Sequence, residues 1–335
     1  MVMIEIDGEK GGGQMLRTAL TLSTVTGKNF MMENIRGSRK DSGLKDQHLQ
    51  AVKLAKKLCD AKVDGVEFDS EKIVFKPGNL RNEALKTDIG TAGSVNLVLD
   101  TLMPVTSQMS EDFSAEITGG TDVRWSPSSL HYKQIKMPLL KEHGFDGSYE
   151  IESTGFYPEG GGTAVLETRP YSMEQLDLTE RGELESIELH VKASDSLEES
   201  GAAEESLEAI ESELDVDVEV SRDFEYVDSV SEGVVSLLKA CYVNTVVGFD
   251  AVDERGKRAE QNAFRIVTQF EQFRKSEACV DKFMADQLIV FLALVGGEAS
   301  IRELTDHVKT NLSVVEKFGK MVEYERKDGK VILSR

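Results

Sequence analysis

The chain has 335 residues, 40% of them hydrophobic and 30% charged, with a formal net charge of −21. That length leaves room for two domains, and the absence of any unbroken apolar run near the ~18 residues of a membrane span points away from a membrane partner. Cys59, Cys241 and Cys279 are odd in number and far apart, which suggests neither a disulfide framework nor a zinc ribbon. The opening Met-Val-Met-Ile-Glu-Ile-Asp-Gly lacks the regions of a signal peptide, so cytoplasmic residence is expected.

In chain order, a first strand at residues 4–7 enters a glycine turn at Gly11, Gly12 and Gly13, and a helix follows to Gly27. Amides ahead of a helix can face an anion, and Arg17 on that helix strengthens a phosphate reading. A strand at 29–35 leads into Arg36-Gly-Ser-Arg-Lys40, where Arg offers a planar fork and Lys a point charge to phosphate. A helix over 44–58 buries Leu49, Val52 and Ala55 and leaves Lys53, Lys56 and Lys57 near solvent, and short strands follow at 66–68 and 73–75. The order then recurs: Gly90 and Gly93 precede a helix at 95–109, a strand covers 114–118, a helix 130–143, and strands 149–152 and 164–168. Gly160-Gly-Gly162 reads as a turn.

Between residues 183 and 232 the chain carries 18 acidic and 2 basic residues, so most of the negative charge is local, and it reads first as a solvated face. Residues 10–57 carry the opposite bias, ten basic against three acidic, which permits a basic surface on a net acidic protein. The acidic stretch has its own pattern: strands at 187–191 and 216–220, helices at 202–214 and 259–275, and apolar structure at 234–247, together a small α/β module. After it come a helix at 286–295, a strand at 299–304, a helix opened by His307, and strands near 322–325 and 330–333. Taken alone, His307 reads as a capping or partly buried histidine, with Val308, Leu312, Val315 and Phe318 as the buried stripe behind it.

Several of these stretches together resemble the RNA 3′-terminal phosphate cyclase family. They are Gly11-Gly-Gly-Gln-Met-Leu-Arg17, Ile35-Arg-Gly-Ser-Arg39, Gly43-Leu with Gln47-His48, Ile89-Gly-Thr-Ala-Gly-Ser94, Gly119-Gly-Thr-Asp122 with Trp125-Ser-Pro127, Gly155 to Gly162, Ala285-Asp-Gln-Leu288, and His307 with Thr310-Asn311 and Val314 to Phe318. The resemblance implies an α/β (α+β) fold of three β-α-β-α-β-β repeats like the C-terminal fold of a translation initiation factor. It places a catalytic repeat domain in residues 1–183 and 277–335 and a small acidic α/β domain, 184–276, inserted in the third repeat.

It also implies chemistry: His307 takes AMP from ATP with release of pyrophosphate, passes it to an RNA 3′-phosphate, and the neighbouring 2′-hydroxyl displaces it to leave a 2′,3′-cyclic phosphate. Imidazole suits that role, since an unperturbed pKa of ~6.5 leaves it nucleophilic near neutrality and a good leaving group once protonated. By matched position Arg17, Arg36 and Arg39 contact phosphate, while Pro127, Phe283, Met284, Asp286, Gln287 and Asp100 surround the adenylate. A divalent cation, Mg or Mn, is implied as well. Here the chain departs from the family, because Lys10 stands where a glutamate is usual and Glu9, one residue earlier, is the carboxylate left for a metal; Phe283 lacks a hydroxyl and Asp100 replaces a glutamine of some members. Two other readings use the same residues: a non-catalytic RNA-processing scaffold related to the cyclases, and an enolpyruvate-type transferase. The sequence sets no oligomeric state.

Overall fold

The structure is a computed structural model that describes residues 2–253 and 259–335; Met1, part of the stretch read as the first strand, lies outside the described residues. The fold is mixed α+β and built on small four-stranded sheets. In the first sheet the strands β1 (Ile4–Asp7), β2 (Phe30–Glu33), β3 (Lys62–Asp64) and β4 (Ile73–Lys76) lie in the order β1-β2-β4-β3. β1 and β2 pair in parallel, and both other pairings are antiparallel. A second sheet of β5 (Leu85–Asp88), β6 (Phe113–Gly119), β7 (Gly147–Ser153) and β8 (Gly162–Thr168) has the order β5-β6-β8-β7 with the same senses. A third joins β9 (Leu176–Leu178) in parallel to β14 (Gly297–Ile301), which pairs antiparallel with β16 (Lys330–Ser334), itself antiparallel to β15 (Glu323–Lys327). That sheet therefore draws one strand from before the acidic segment and three from after it.

The acidic segment forms a fourth sheet, ordered β11-β10-β12-β13, from β10 (Leu184–Ser194), β11 (Glu219–Val227), β12 (Val234–Tyr242) and β13 (Thr245–Val252). Strand alternation divides β12 between two cores, as successive side chains must point to opposite faces. Val235 and Leu237 join the main core, while Val234, Leu238, Ala240 and Tyr242 join a second core with α6 (Ala202–Glu213) and α7 (Ala259–Arg274).

The helices of the main body meet at its centre. α1 (Gly13–Thr26) packs against α2 (Asp46–Leu58), α3 (Val95–Leu102), α8 (Lys282–Val295) and α9 (Asp306–Lys317). Hydrogen bonds fix the pairing of the first helix with the last: Gln14 Nε2 donates to Thr310 Oγ1 at 3.2 Å, Thr18 Oγ1 to Asn311 Oδ1 at 3.0 Å, and Lys28 Nζ to the Phe318 carbonyl at 2.7 Å. Among the described residues no helix is long and apolar enough to cross a membrane.

Most predicted elements are present, and the differences have local causes. The helix expected to Met109 ends at Leu102 and continues as a 3₁₀ turn, Met103–Gln108, because Pro104 has no N–H to bond back along the helix. The helix expected over 130–143 is α4 (Ser129–His131), a π-turn at Tyr132–Lys136 and α5 (Met137–Lys141); Pro138 at the start of α5 again removes a donor. No strand covers 66–68: Gly65 takes φ +82, and a side chain there would meet the Lys72 carbonyl at 2.2 Å, so the chain turns away after Asp64. The strand read at 216–220 begins at Glu219 and runs to Val227, its extent set by pairing with all of β10 from Ser186 to Ser194.

Candidate active site

α1, α3, α8, α9 and the loop between β2 and α2 surround a cleft of about 880 Å³. It is lined by Gly12, Gly13, Arg17, Arg36, Arg39, Asp100, Pro127, Phe283, Asp286, Gln287 and His307, so residues from both ends of the chain share one space. Two of the expected site residues lie elsewhere. Met284 is buried in the main core, and Glu9 packs its carboxylate against Gly37, outside the lining of the cleft.

His307 occupies the first turn of α9, whose start is fixed by Thr305, its hydroxyl accepting from the Val308 amide at 3.2 Å. The imidazole is 51% exposed, and its Nδ1 lies 3.2 Å from Asp286 Oδ2. The carboxylate accepts, so Nδ1 carries the proton and Nε2 keeps a lone pair. Asp286 stands on α8, which begins at Asp281, capped through the Phe283 and Met284 amides. α8 is tied to α9 where Asn311 Nδ2 donates to the Asp286 carbonyl at 3.1 Å. The imidazole is thereby fixed relative to its acidic partner by two capped helices.

The arginines reach the cleft by different routes. Arg17 rises from α1 and is half-buried; loss of water lowers its pKa, while Asp100 and Asp286 hold the charge in place. Arg36 takes φ 58 in the turn after β2 and donates from Nη1 to the Gly43 carbonyl at 2.9 Å. Burial and the neighbouring Arg39 depress its pKa, so an anion between them would relieve mutual repulsion. Glycine is required at position 13, where a Cβ would stand 2.3 Å from His48 Nε2 and 3.1 Å from Arg17 Nη1. His48 thus packs against the N-terminus of α1.

His48 carries a signal that sequence reading found only as part of a motif. Its Nδ1 accepts the Lys45 amide at 3.1 Å, and burial, followed by the charges of Arg17, Arg36 and Lys45, drives its pKa down to about 3. It is neutral at physiological pH and adds no repulsion to the arginines. The unfolded chain would protonate it near 6.5, so this term favours folding fully above that pH and is lost as pH falls from about 6.5 toward about 3. His48→Gln should flatten the acid limb of a urea-midpoint profile, by at most about 5 kcal/mol. An unaltered limb would assign the pH dependence to other groups.

Lys136 was not foreseen. Its side chain, 2% exposed, leaves the π-turn to form an ion pair with Asp100, donates to Gln287 Oε1 at 3.0 Å, and lies 4.6 Å from the centre of the Tyr132 ring. A lysine beside Tyr132 and Ile135 on an otherwise apolar stripe was the available clue. The acidic side chains of residues 183–232 are exposed or half-buried, as a solvated face requires, while the same module contributes Asp250, Arg265 and Gln269 to one wall of the cleft. A buried ion pair crosses the same boundary: Lys192 Nζ lies 3.3 Å from Asp122 Oδ2 and donates to Ser129 Oγ at 2.6 Å.

A histidine paired with a carboxylate and faced by arginines is an arrangement for phosphoryl or nucleotidyl transfer, where alignment and charge neutralisation dominate. Comparison with known proteins identifies the class. The model of the RNA 3′-terminal phosphate cyclase family matches residues 8–323. A protein of Halobacterium salinarum named RNA 3′-terminal phosphate cyclase is 36% identical over 341 residues, covering 98% of this chain and 99% of its own. Those of Pyrococcus furiosus, 36% identical with 96% and 95% covered, and Saccharolobus solfataricus, 37% identical with 94% of each covered, carry the same name. The chain belongs to the RNA 3′-terminal phosphate cyclase family, whose members are ATP-dependent enzymes.

Proposed function

We propose that this chain converts an RNA 3′-terminal phosphate to a 2′,3′-cyclic phosphate through an AMP carried on His307. The observation that supports this most directly is the Nδ1 to Asp286 contact of 3.2 Å beside three arginines in one cleft. Nε2 attacks the α-phosphorus of ATP; the N–P bond forms, the bond to the bridging oxygen breaks, and pyrophosphate leaves. Asp286 supports the positive imidazole while it carries AMP. An oxygen of the RNA 3′-phosphate then attacks the same phosphorus and the N–P electron pair returns to the ring. Finally the 2′-oxygen attacks the activated 3′-phosphorus, AMP departs, and the hydroxyl proton is released to a base or to water. Arg17, Arg36 and Arg39 offset charge on the phosphates, and Pro127, Phe283, Asp286, Gln287 and Asp100 bound the adenylate, with Met284 backing the wall from the core.

Among the described residues there is no group of three His, Cys, Asp or Glu side chains that could cage a metal. That donor set fits an ion brought in on phosphate oxygens and held by one carboxylate, the usual habit of Mg²⁺. Glu9 is the carboxylate proposed to hold Mg²⁺ or Mn²⁺, from beside Gly37 in the loop of Arg36 and Arg39, at the edge of the cleft rather than in its lining. When bound, the ion would neutralise phosphate charge.

The same reading takes the three sheets of shared strand order as three β-α-β-α-β-β units like the C-terminal fold of a translation initiation factor. Residues 184–276 are then an insertion between the first and second strands of the third unit, and 1–183 with 277–335 the catalytic body. The identical pairing senses and the separate second core support this division. Cytoplasmic residence belongs to the same proposal. Neither a binding scaffold nor an enolpyruvate-type transferase has a use for a carboxylate-paired, exposed histidine. The test is incubation with ATP labelled in the α-phosphate: protein-bound label that RNA 3′-phosphate discharges supports the reading, and cyclisation without any labelled protein overturns it.

A further inference from the structure

Trp125 is the single tryptophan of the chain, and it is 89% exposed on the rim of the cleft. Isolated apolar side chains on a surface need no explanation, but this one is held at a cost. Its backbone takes φ 65, a left-handed conformation that a bulky residue resists and that persists only where the surroundings enforce it. They do so here. On one side of Trp125, Thr121 and Asp122 donate their amides to the Gly155 carbonyl at 2.9 and 3.2 Å, and the Asp122 carboxylate takes the Ser129 amide at 2.7 Å. On the other, the Pro127 carbonyl accepts Asn96 Nδ2 at 2.9 Å, and Asp250 accepts the Ser128 amide at 3.0 Å. A rigid loop therefore presents an indole to solvent. The Arg124 guanidinium carbon lies 5.0 Å from its ring centre, and the high exposure leaves the remaining ring surface open.

We infer that Trp125 is a stacking platform for the base of the RNA 3′-terminal nucleotide, an assignment that rests on the cyclase reading above. The two substrates make different demands on the rim. ATP must be enclosed against His307, between Pro127 and Phe283, whereas an RNA chain has to run from the reacting phosphate out to solvent. An aromatic at the mouth suits the second. Single-stranded nucleic acid is held without sequence readout by aromatic faces set among cations, and Arg36, Arg39, Arg124, Arg265 and Lys282 line this cleft. Since every base has a π-face, the platform would accept any terminal base.

Because the protein has one tryptophan, emission excited selectively beyond the tyrosine band comes from Trp125 and reports its surroundings. Titration with a short RNA bearing a 3′-phosphate should quench the emission along the same isotherm as anisotropy of the labelled RNA. Trp125→Ala should weaken RNA binding by about 5- to 150-fold, the range for loss of one stacked base, and Trp125→Phe by no more than about threefold. The loss should appear in KM for RNA rather than in kcat. An RNA whose terminal nucleotide is abasic should bind the unaltered protein as weakly as intact RNA binds the alanine variant. RNA binding with unchanged emission, or equal quenching by ATP alone, would overturn the platform. Protein that quenches with RNA yet never takes label from ATP would leave the platform standing and defeat the cyclase mechanism. Protein that labels from ATP but binds no RNA would defeat the platform.

Discussion

His307→Ala should take up no label from α-labelled ATP and should lose at least about 10⁴-fold in cyclisation rate, the scale seen when a covalent nucleophile is removed. The size of the effect follows from the lack of another exposed imidazole among the described residues that line the cleft, where His131 is buried as well as His48. His48 is buried, and its one outward nitrogen packs on Gly13, while Lys136 is occupied by Asp100 and Gln287. Asp286→Asn tests the partner separately. It keeps the shape but removes the charge that supports the imidazolium, so labelling should slow by about 10²-fold or more while the folded state persists. Gel autoradiography of both variants against the unaltered protein checks each expectation. Full labelling of His307→Ala would move the nucleophile elsewhere.

The parts of this site legible in the sequence are those that chemistry confines to short stretches. Gly11 to Gly13 before a helix, and Arg36 with Arg39 after a strand, are local patterns suited to an anion, and both stretches contribute to the lining of the cleft. The partner of His307 was reachable only through a family resemblance, since Asp286 lies 21 residues away and meets it by the packing of α8 on α9. Tertiary contacts of that kind leave no periodic signal. The acidic stretch reads correctly as a solvated face, but the covered faces of its sheet are legible only in β12, whose alternation divides Val235 and Leu237 from Val234 and Leu238 and so requires two covered faces. Prolines account for the helix boundaries that differ, as Pro104 and Pro138 each sit inside a stretch whose apolar spacing alone reads as continuous.

Lys136→Met should destabilise the protein by about 3–5 kcal/mol, the usual consequence of leaving one member of a buried ion pair behind. Lys136 is 2% exposed and Asp100 11%, so water can replace little of what the ammonium supplies. The methionine would fill the volume and keep contact with Tyr132, which confines the loss to charge and to the bond with Gln287. Arg17 is the one remaining cation that acts on Asp100 from α1, and if it swings to compensate it leaves the position proposed for it beside the phosphates. Stability and nucleotide binding are then coupled: a smaller loss of stability should come with a larger rise in KM for ATP. Asp100→Asn in the same chain removes the orphaned charge and should recover most of the stability, to within about 1 kcal/mol of the unaltered protein, without recovering the contact that orients Gln287. Urea unfolding of the two single variants and the double variant, with unchanged slopes, measures the coupling directly. A Lys136→Met variant as stable as the parent and with unaltered KM for ATP would mean that Asp100 does not need its partner, and that the π-turn which delivers Lys136 serves packing alone.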